Sequence, residues 1–207
     1  MRVKVVKSRP SLISIRVYKE ALLAGIFILP QGCLDRLKRP EIIRYQLKYA
    51  AVEYSDLDDL VGWICENAAR VFLILVKLGW SSRIVGFKQY GFVDAHLPIV
   101  ARCGMAAPFA LEVMTAEDDT YHSAFEDEVW TRDDSDIMDF VDLQWSFSAP
   151  VLERSRNIHC PMRRTILPIV KRRQEKQGGF SKITKVMFHR THIAPGCWFP
   201  VPAICHR

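Results

Sequence analysis

Two adjacent glycines, Gly178 and Gly179, lie between two strand-like segments and are the residues best suited to bind an anion. Glycine has no Cβ, so its backbone can turn sharply and bring N–H groups close to phosphate oxygens. An aromatic residue, a small residue and a β-branched residue follow at positions that fit such a loop. The candidate nucleotide-binding residues are Gly178, Gly179, Phe180, Ser181 and Ile183.

The loop matches only part of the pattern G-x-G-x-x-G-x-V, which covers the phosphates of ATP in protein kinases. Lys176 and Ser181 stand where that pattern has its first and third glycines. Phosphoryl transfer also requires a lysine, a catalytic aspartate and metal-binding residues after the loop. None of the 21 residues after Val186 is Lys, Asp or Glu. We therefore predict a non-functional remnant with no catalytic residue, no metal site and no cofactor, and we do not expect an enzyme in this form.

Short motifs surround this loop in a definite order between residues 27 and 193. They are Phe27-Ile-Leu-Pro-Gln-Gly-Cys-Leu-Asp-Arg-Leu37, Ala69-Arg-Val-Phe-Leu-Ile-Leu-Val76, Tyr90-Gly-Phe-Val-Asp-Ala-His-Leu-Pro98, Gln144-Trp-Ser-Phe-Ser-Ala-Pro-Val151, Ile166-Leu-Pro-Ile169, Gly178-Gly-Phe-Ser181, and Lys185-Val-Met-Phe-His189 with His192. Their order resembles that of a fungal family of protein kinase domain-containing proteins. The resemblance implies a helical region in front of a kinase domain, with ATP and magnesium as the cofactors of full-length relatives.

The predicted fold class is mainly α, with a bundle-like helical N-terminal domain and then a short β-ribbon that resembles the start of a kinase N-lobe. We divide the chain into a variable segment (1–28), a helical domain (29–143), a connector with the truncated start of a kinase domain (144–193) and an unrelated tail (194–207). In the tail, Pro195, Pro200 and Pro202 are expected to forbid a regular continuing strand. One hypothesis is that a gene-model error or a retained intron truncates a longer protein.

Helical periodicity is clearest between Ser55 and Gly79. Ser55 is the expected N-cap, and Gly79 is the expected C-terminal stop of a single helix. Pro40 suits the first turn of an earlier helix, and further helices are predicted over 81–90, 120–129 and 135–143. The predicted core residues recur three and four positions apart: Leu57, Leu60, Val61, Ile64, Cys65, Ala68, Val71, Phe72 and Leu75.

Charge is strongly segregated along the chain, whose net charge is +6. Residues 112–142 contain twelve acidic residues and one basic residue. Both ends are basic: the first 48 residues contain eleven basic and three acidic residues, and residues 144–207 contain twelve basic and two acidic residues. The simpler interpretation is that the acidic stretch offsets the basic segments. A nucleic-acid partner is therefore not expected, and binding of nucleic acid through the basic ends is a weaker alternative.

The six cysteines are scattered without a C-x-x-C pair, which favours reduced thiols in the cytoplasm or nucleus. We do not expect His189, His192, Cys197, Cys205 and His206 to bind zinc, because their spacing matches no common site. No apolar run approaches the ~20 residues of a membrane span. We expect a regulatory or protein-interaction module with a protein partner, and the alternative is a stand-alone helical protein-binding module.

Overall fold

The computed structural model describes residues 28–102, 110–113, 125, 134–153, 165–177, 182–197 and 204–206. The protein is mainly helical, as the sequence predicts. The helices are α1 (Gln31–Leu37), α2 (Pro40–Tyr49), α3 (Leu57–Asn67), α4 (Ala69–Leu78), α5 (Ile84–Gln89) and α6 (Asp134–Phe147). Short 3₁₀ turns cover Ser81–Arg83, Asp94–His96 and Arg190–His192. Within these ranges, no helix is both long and apolar enough to cross a bilayer.

Local signals set several helix ends where the sequence predicts them. Pro40 is the first residue of α2, where the missing N–H has no intrahelical partner to lose. Gly79 ends α4 with a φ of 79°, a left-handed conformation that a glycine adopts without a Cβ clash. The predicted helix at 135–143 is present within α6, and the one at 81–90 is a 3₁₀ turn followed by α5. The predicted helix at 120–129 lies outside the described residues except for Phe125.

Two predictions about the central helices are wrong. Asp56, not Ser55, is the N-cap of α3, and its carboxylate accepts a hydrogen bond from the backbone N of Asp59 at 3.0 Å. The single helix predicted from Ser55 to Gly79 is broken at Ala68, whose φ and ψ are −138° and 32°. The break has a long-range cause: Asp94 accepts hydrogen bonds from the backbone N atoms of Arg70 and Val71, each at 2.9 Å, and so caps the start of α4.

The hydrophobic core is built around α4. Its residues from Val71 to Val76 are all buried, so this helix is covered on nearly every side. All the predicted core residues lie in this core or pack against it, with Leu57 and Cys65 only partly buried. Aromatic rings at Phe87, Phe92, Phe125 and Phe140 extend the core, with centroid separations of 5.0–5.9 Å between contacting pairs.

Two small antiparallel sheets accompany the helices. β1 (Ile99–Arg102) pairs with β2 (Ala110–Val113), a hairpin that the sequence did not indicate. The predicted β-ribbon is confirmed as β3 (Ile169–Gln177) and β4 (Lys182–Phe188), and β5 (Ile204–His206) pairs with the start of β4. β5 is a separate strand that begins after Pro202, so no ladder hydrogen bond in it needs a proline N–H. The prediction concerns a strand that continues through Pro195, Pro200 and Pro202, and it stays a prediction.

Candidate functional site: the junction between the helices and the β-ribbon

The predicted glycine-loop residues are only partly within the described structure. Gly178, Gly179, Phe180 and Ser181 lie outside the described residues. The backbone of Ile183 belongs to β4, where it pairs with Lys176 on one side and Cys205 on the other. The described residues therefore include the strands that flank the loop and the junction where these strands meet the helices.

A small apolar cluster forms part of this joint. Ile28 and Ala149 are buried, and Ile166 and Val170 of the ribbon segment pack against them. This cluster is separate from the main core around α4. Because only a few side chains take part, hydrophobic burial alone gives the joint limited stability, and polar contacts must supply the rest.

His192 is the polar centre of the joint, and its side chain is almost completely buried. Its Nε2 accepts a hydrogen bond from the backbone N of Gln31 at 3.1 Å, and its Nδ1 lies 3.1 Å from the carbonyl oxygen of Pro150. One imidazole thus bridges the start of α1, the segment after α6 and the turn after β4. We call this bridge, made by Gln31, Pro150 and His192, the His192 junction.

These contacts define the protonation state of the imidazole. Since Nε2 accepts from an N–H, the proton of neutral His192 must lie on Nδ1, where it is donated to Pro150. Burial lowers the pKa of His192, although the hydrogen bond to the Pro150 carbonyl acts in the opposite direction. The positive charge of a protonated His189 nearby would lower it further. The folded protein therefore favours the neutral form.

Backbone hydrogen bonds reinforce the His192 junction on both sides. Leu152 donates its N–H to the carbonyl of His192 at 2.7 Å, and Ala194 donates to the carbonyl of Leu152 at 2.9 Å. Leu152 and Ile193 form an isolated parallel bridge at the same place. On the helical side, Leu29 donates to the carbonyl of Ser146 at 2.7 Å, which ties the chain before α1 to the end of α6.

The turn that presents His192 is itself capped by a histidine. His189 Nδ1 accepts from the backbone N of Thr191 and lies 2.8 Å from its hydroxyl oxygen. Thr191 in turn approaches Gly32 of α1, where an added Cβ would lie 3.3 Å from the Thr191 methyl group. A side chain at residue 32 would therefore press against the Thr191 methyl group, which would have to move by a few tenths of an ångström.

Two further motif residues stabilise the helical domain. Gln144 is fully buried on α6, and its amide accepts from the N of Ile99 at 2.8 Å and donates to the carbonyl of Ile99 at 2.7 Å. This pairing fixes the start of β1. Asp94 caps α4 as described above, and burial raises the pKa of its carboxyl group while the hydrogen bonds from Arg70 and Val71 lower it. Gln144 thus holds the start of β1 against α6, and Asp94 caps the start of α4.

Comparisons with family models, with curated proteins and with solved structures find no match for this chain. Among the described residues, no group of three or more His, Cys, Asp and Glu side chains is arranged to hold a metal ion. The His192 junction holds three chain segments together through one neutral imidazole.

We expect the stability of the protein to fall as the pH drops below about 6.5, the ordinary pKa of histidine. Because the folded pKa of His192 is lowered, the unfolded chain binds a proton there before the folded chain does. The contribution of neutral His192 to the free energy of unfolding is therefore fully present above about pH 6.5. It is lost as the pH falls toward the pKa that His192 has in the folded protein. Urea unfolding curves recorded at several values between about pH 8 and about pH 5 measure how the free energy of unfolding changes around the ordinary pKa of histidine.

The variant His192→Gln should flatten this pH dependence and should also lower stability by about 1–3 kcal/mol at neutral pH, because a buried hydrogen-bonding group is lost. His96→Gln is the matched control. The pKa of His96 is also lowered by burial, but this side chain is less buried, so its removal should flatten the curve less. A His192→Gln variant that keeps the full wild-type pH dependence would contradict the assigned neutral imidazole.

Proposed function

We propose that this chain is the N-terminal region of a fungal protein kinase-like protein, catalytically incomplete as it stands. In this proposal the helical part is a regulatory or protein-interaction module, and the ribbon is the start of a kinase domain with a remnant glycine loop. The proposed location is the cytoplasm or the nucleus. ATP and magnesium are the cofactors of full-length relatives and not of this chain.

The observation that carries the proposal is the meeting of three motif segments at the His192 junction. Gln31, Pro150 and His192 belong to three of the segments on which the resemblance rests, and they are up to 161 positions apart in sequence. Residues of a chance pattern have no reason to meet in one hydrogen-bonded cluster. A small sheet such as β3-β4-β5 gains stability in water by packing against other elements, and the helices provide that support.

Magnesium-ATP should leave the thermal midpoint of the 207-residue chain unchanged. Any ligand that binds only the folded state must raise its stability in proportion to the logarithm of the ligand concentration. An active protein kinase measured in the same nucleotide series is the positive control. An upward shift that grows with the nucleotide concentration, or transfer of radiolabelled phosphate that depends on this purified chain alone, would overturn the proposal of catalytic incompleteness.

A second candidate function, a stand-alone helical protein-binding module, is favoured by one surface feature. Tyr45 and Tyr49 lie one turn apart on α2, stack with ring centroids 6.4 Å apart, and are 53% and 46% exposed. Exposed tyrosines of this kind are frequent in protein interfaces, because they bury a large area with little loss of conformational entropy. This candidate assigns the interaction to α2 and needs no kinase domain.

A further inference from the structure

The outer strand of the ribbon carries an unusual concentration of positive charge. β3 contains four basic residues and one acidic residue over its nine positions. Lys171, Arg172 and Arg173 are exposed, and none of them has a carboxylate partner within the described parts of the chain. This strand therefore places three consecutive exposed cations on the described surface, and no described carboxylate pairs with them.

The register places part of this charge on one face of the ribbon. Arg173 is directly opposite Lys185, and Lys171 is directly opposite Met187, which is 55% exposed. Residues two apart on a strand share a face, so these four side chains form one outward surface. Val186, one position along, is buried and so belongs to the opposite face of the ribbon.

Three consecutive cations on one strand repel one another. Charged residues on an edge strand do protect it against unwanted pairing. That protection explains one lysine, but it does not explain a run of three cations. A negatively charged partner would offset the repulsion between them.

The geometry of the sheet indicates the form of that partner. The strand order is β3-β4-β5, so β3 is an edge strand in the described part of the sheet and pairs on one side only. An edge strand can accept a further strand through its backbone N–H and carbonyl groups, while the side chains of the added strand give specificity. Arginine binds carboxylates through two parallel hydrogen bonds, which suits alternating Glu or Asp residues.

We infer that β3 binds an extended acidic segment of a partner protein, which adds to the sheet as a strand. Carboxylates two residues apart on this segment pair with Lys171 and Arg173 on the outward face. The inference deepens the proposed function by naming the class of partner, and it rests only on the protein-interaction part of that function. It does not depend on whether the glycine loop binds a nucleotide.

The test uses the full 207-residue chain and a labelled seven-residue peptide that alternates glutamate and valine, followed by fluorescence polarisation. We expect saturable binding, with about tenfold weaker affinity for the double variant Lys171→Glu/Arg173→Glu, since tenfold corresponds to two modest ion pairs. The matched control Arg39→Glu/Lys48→Glu makes the same charge change at exposed positions next to and within α2 and should leave the affinity unchanged. Similar thermal midpoints for the wild-type chain and both double variants would show that all three proteins fold.

Three outcomes would overturn the inference. They are absence of peptide binding, equal binding by a peptide whose backbone N atoms are methylated at alternate residues, and tighter binding of single-stranded DNA through the same two residues. The methylated peptide keeps the charges but cannot add as a strand, and the DNA result would assign the face to nucleic acid. None of these outcomes bears on catalytic incompleteness, which the magnesium-ATP measurement tests separately.

Discussion

The variant Phe72→Asp should lose its cooperative thermal unfolding transition. Phe72 is fully buried at the centre of α4, and its neighbours from Val71 to Val76 are buried as well. Removing a buried phenylalanine side chain destabilises a protein by about 3–5 kcal/mol. The new carboxylate would add a large desolvation penalty, and the total rivals the entire stability of a typical domain, about 5–15 kcal/mol.

Two variants make this expectation specific. Phe72→Leu keeps an apolar side chain and should retain a cooperative transition with a lower midpoint. Tyr45→Asp makes the same kind of aromatic-to-acid change on the exposed face of α2 and should alter stability by no more than about 0.5 kcal/mol. A normal transition in Phe72→Asp, measured by circular dichroism during heating, would show that α4 is not the centre of the core.

The central position of α4 could be predicted because its signal is local. Apolar residues nearly all round a helix can only be accommodated when other elements cover every side. The start of α2 at Pro40 and the end of α4 at Gly79 likewise follow from single residues with restricted or permissive backbones. These features needed no knowledge of distant contacts.

The break at Ala68 could not be predicted for the opposite reason. The periodicity continues through it, and the group that caps α4 is Asp94, which is 23 and 24 positions away from the residues whose N–H groups it accepts. A side chain that caps a distant helix leaves no local pattern, so only the three-dimensional arrangement shows it.

The His192 junction lies between these two cases. The sequence drew attention to the segments that contain Gln31, Pro150 and His192, because all three belong to motifs. It gave no sign that they meet, since each bond uses a backbone group that any residue carries. A useful signal was the pair of histidines, His189 and His192, directly after β4. A buried polar residue must find partners, and that requirement alone could have suggested a structural role.

The other large expected effect concerns a buried ion pair. The side chain of Arg83 is 1% exposed, donates to Asp136 of α6 at 3.1 Å and has its guanidinium carbon 4.4 Å from the centre of the Trp80 ring. Burial lowers the pKa of Arg83, and the hydrogen bond to Asp136 opposes that shift. The contact joins the turn after α4 to the first turn of α6, where the helix dipole also favours a negative charge.

We expect Asp136→Ala to destabilise the protein by about 3–5 kcal/mol, because it deprives a buried cation of its carboxylate. The double variant Arg83→Met/Asp136→Leu should be far less destabilised, since it buries apolar groups where the charges were and leaves no charge to desolvate. Urea unfolding of Arg83→Met, of Asp136→Leu and of the double variant gives the coupling energy of the pair. Similar losses in Asp136→Ala and in the double variant would show that packing, and not the ion pair, determines the stability of this contact.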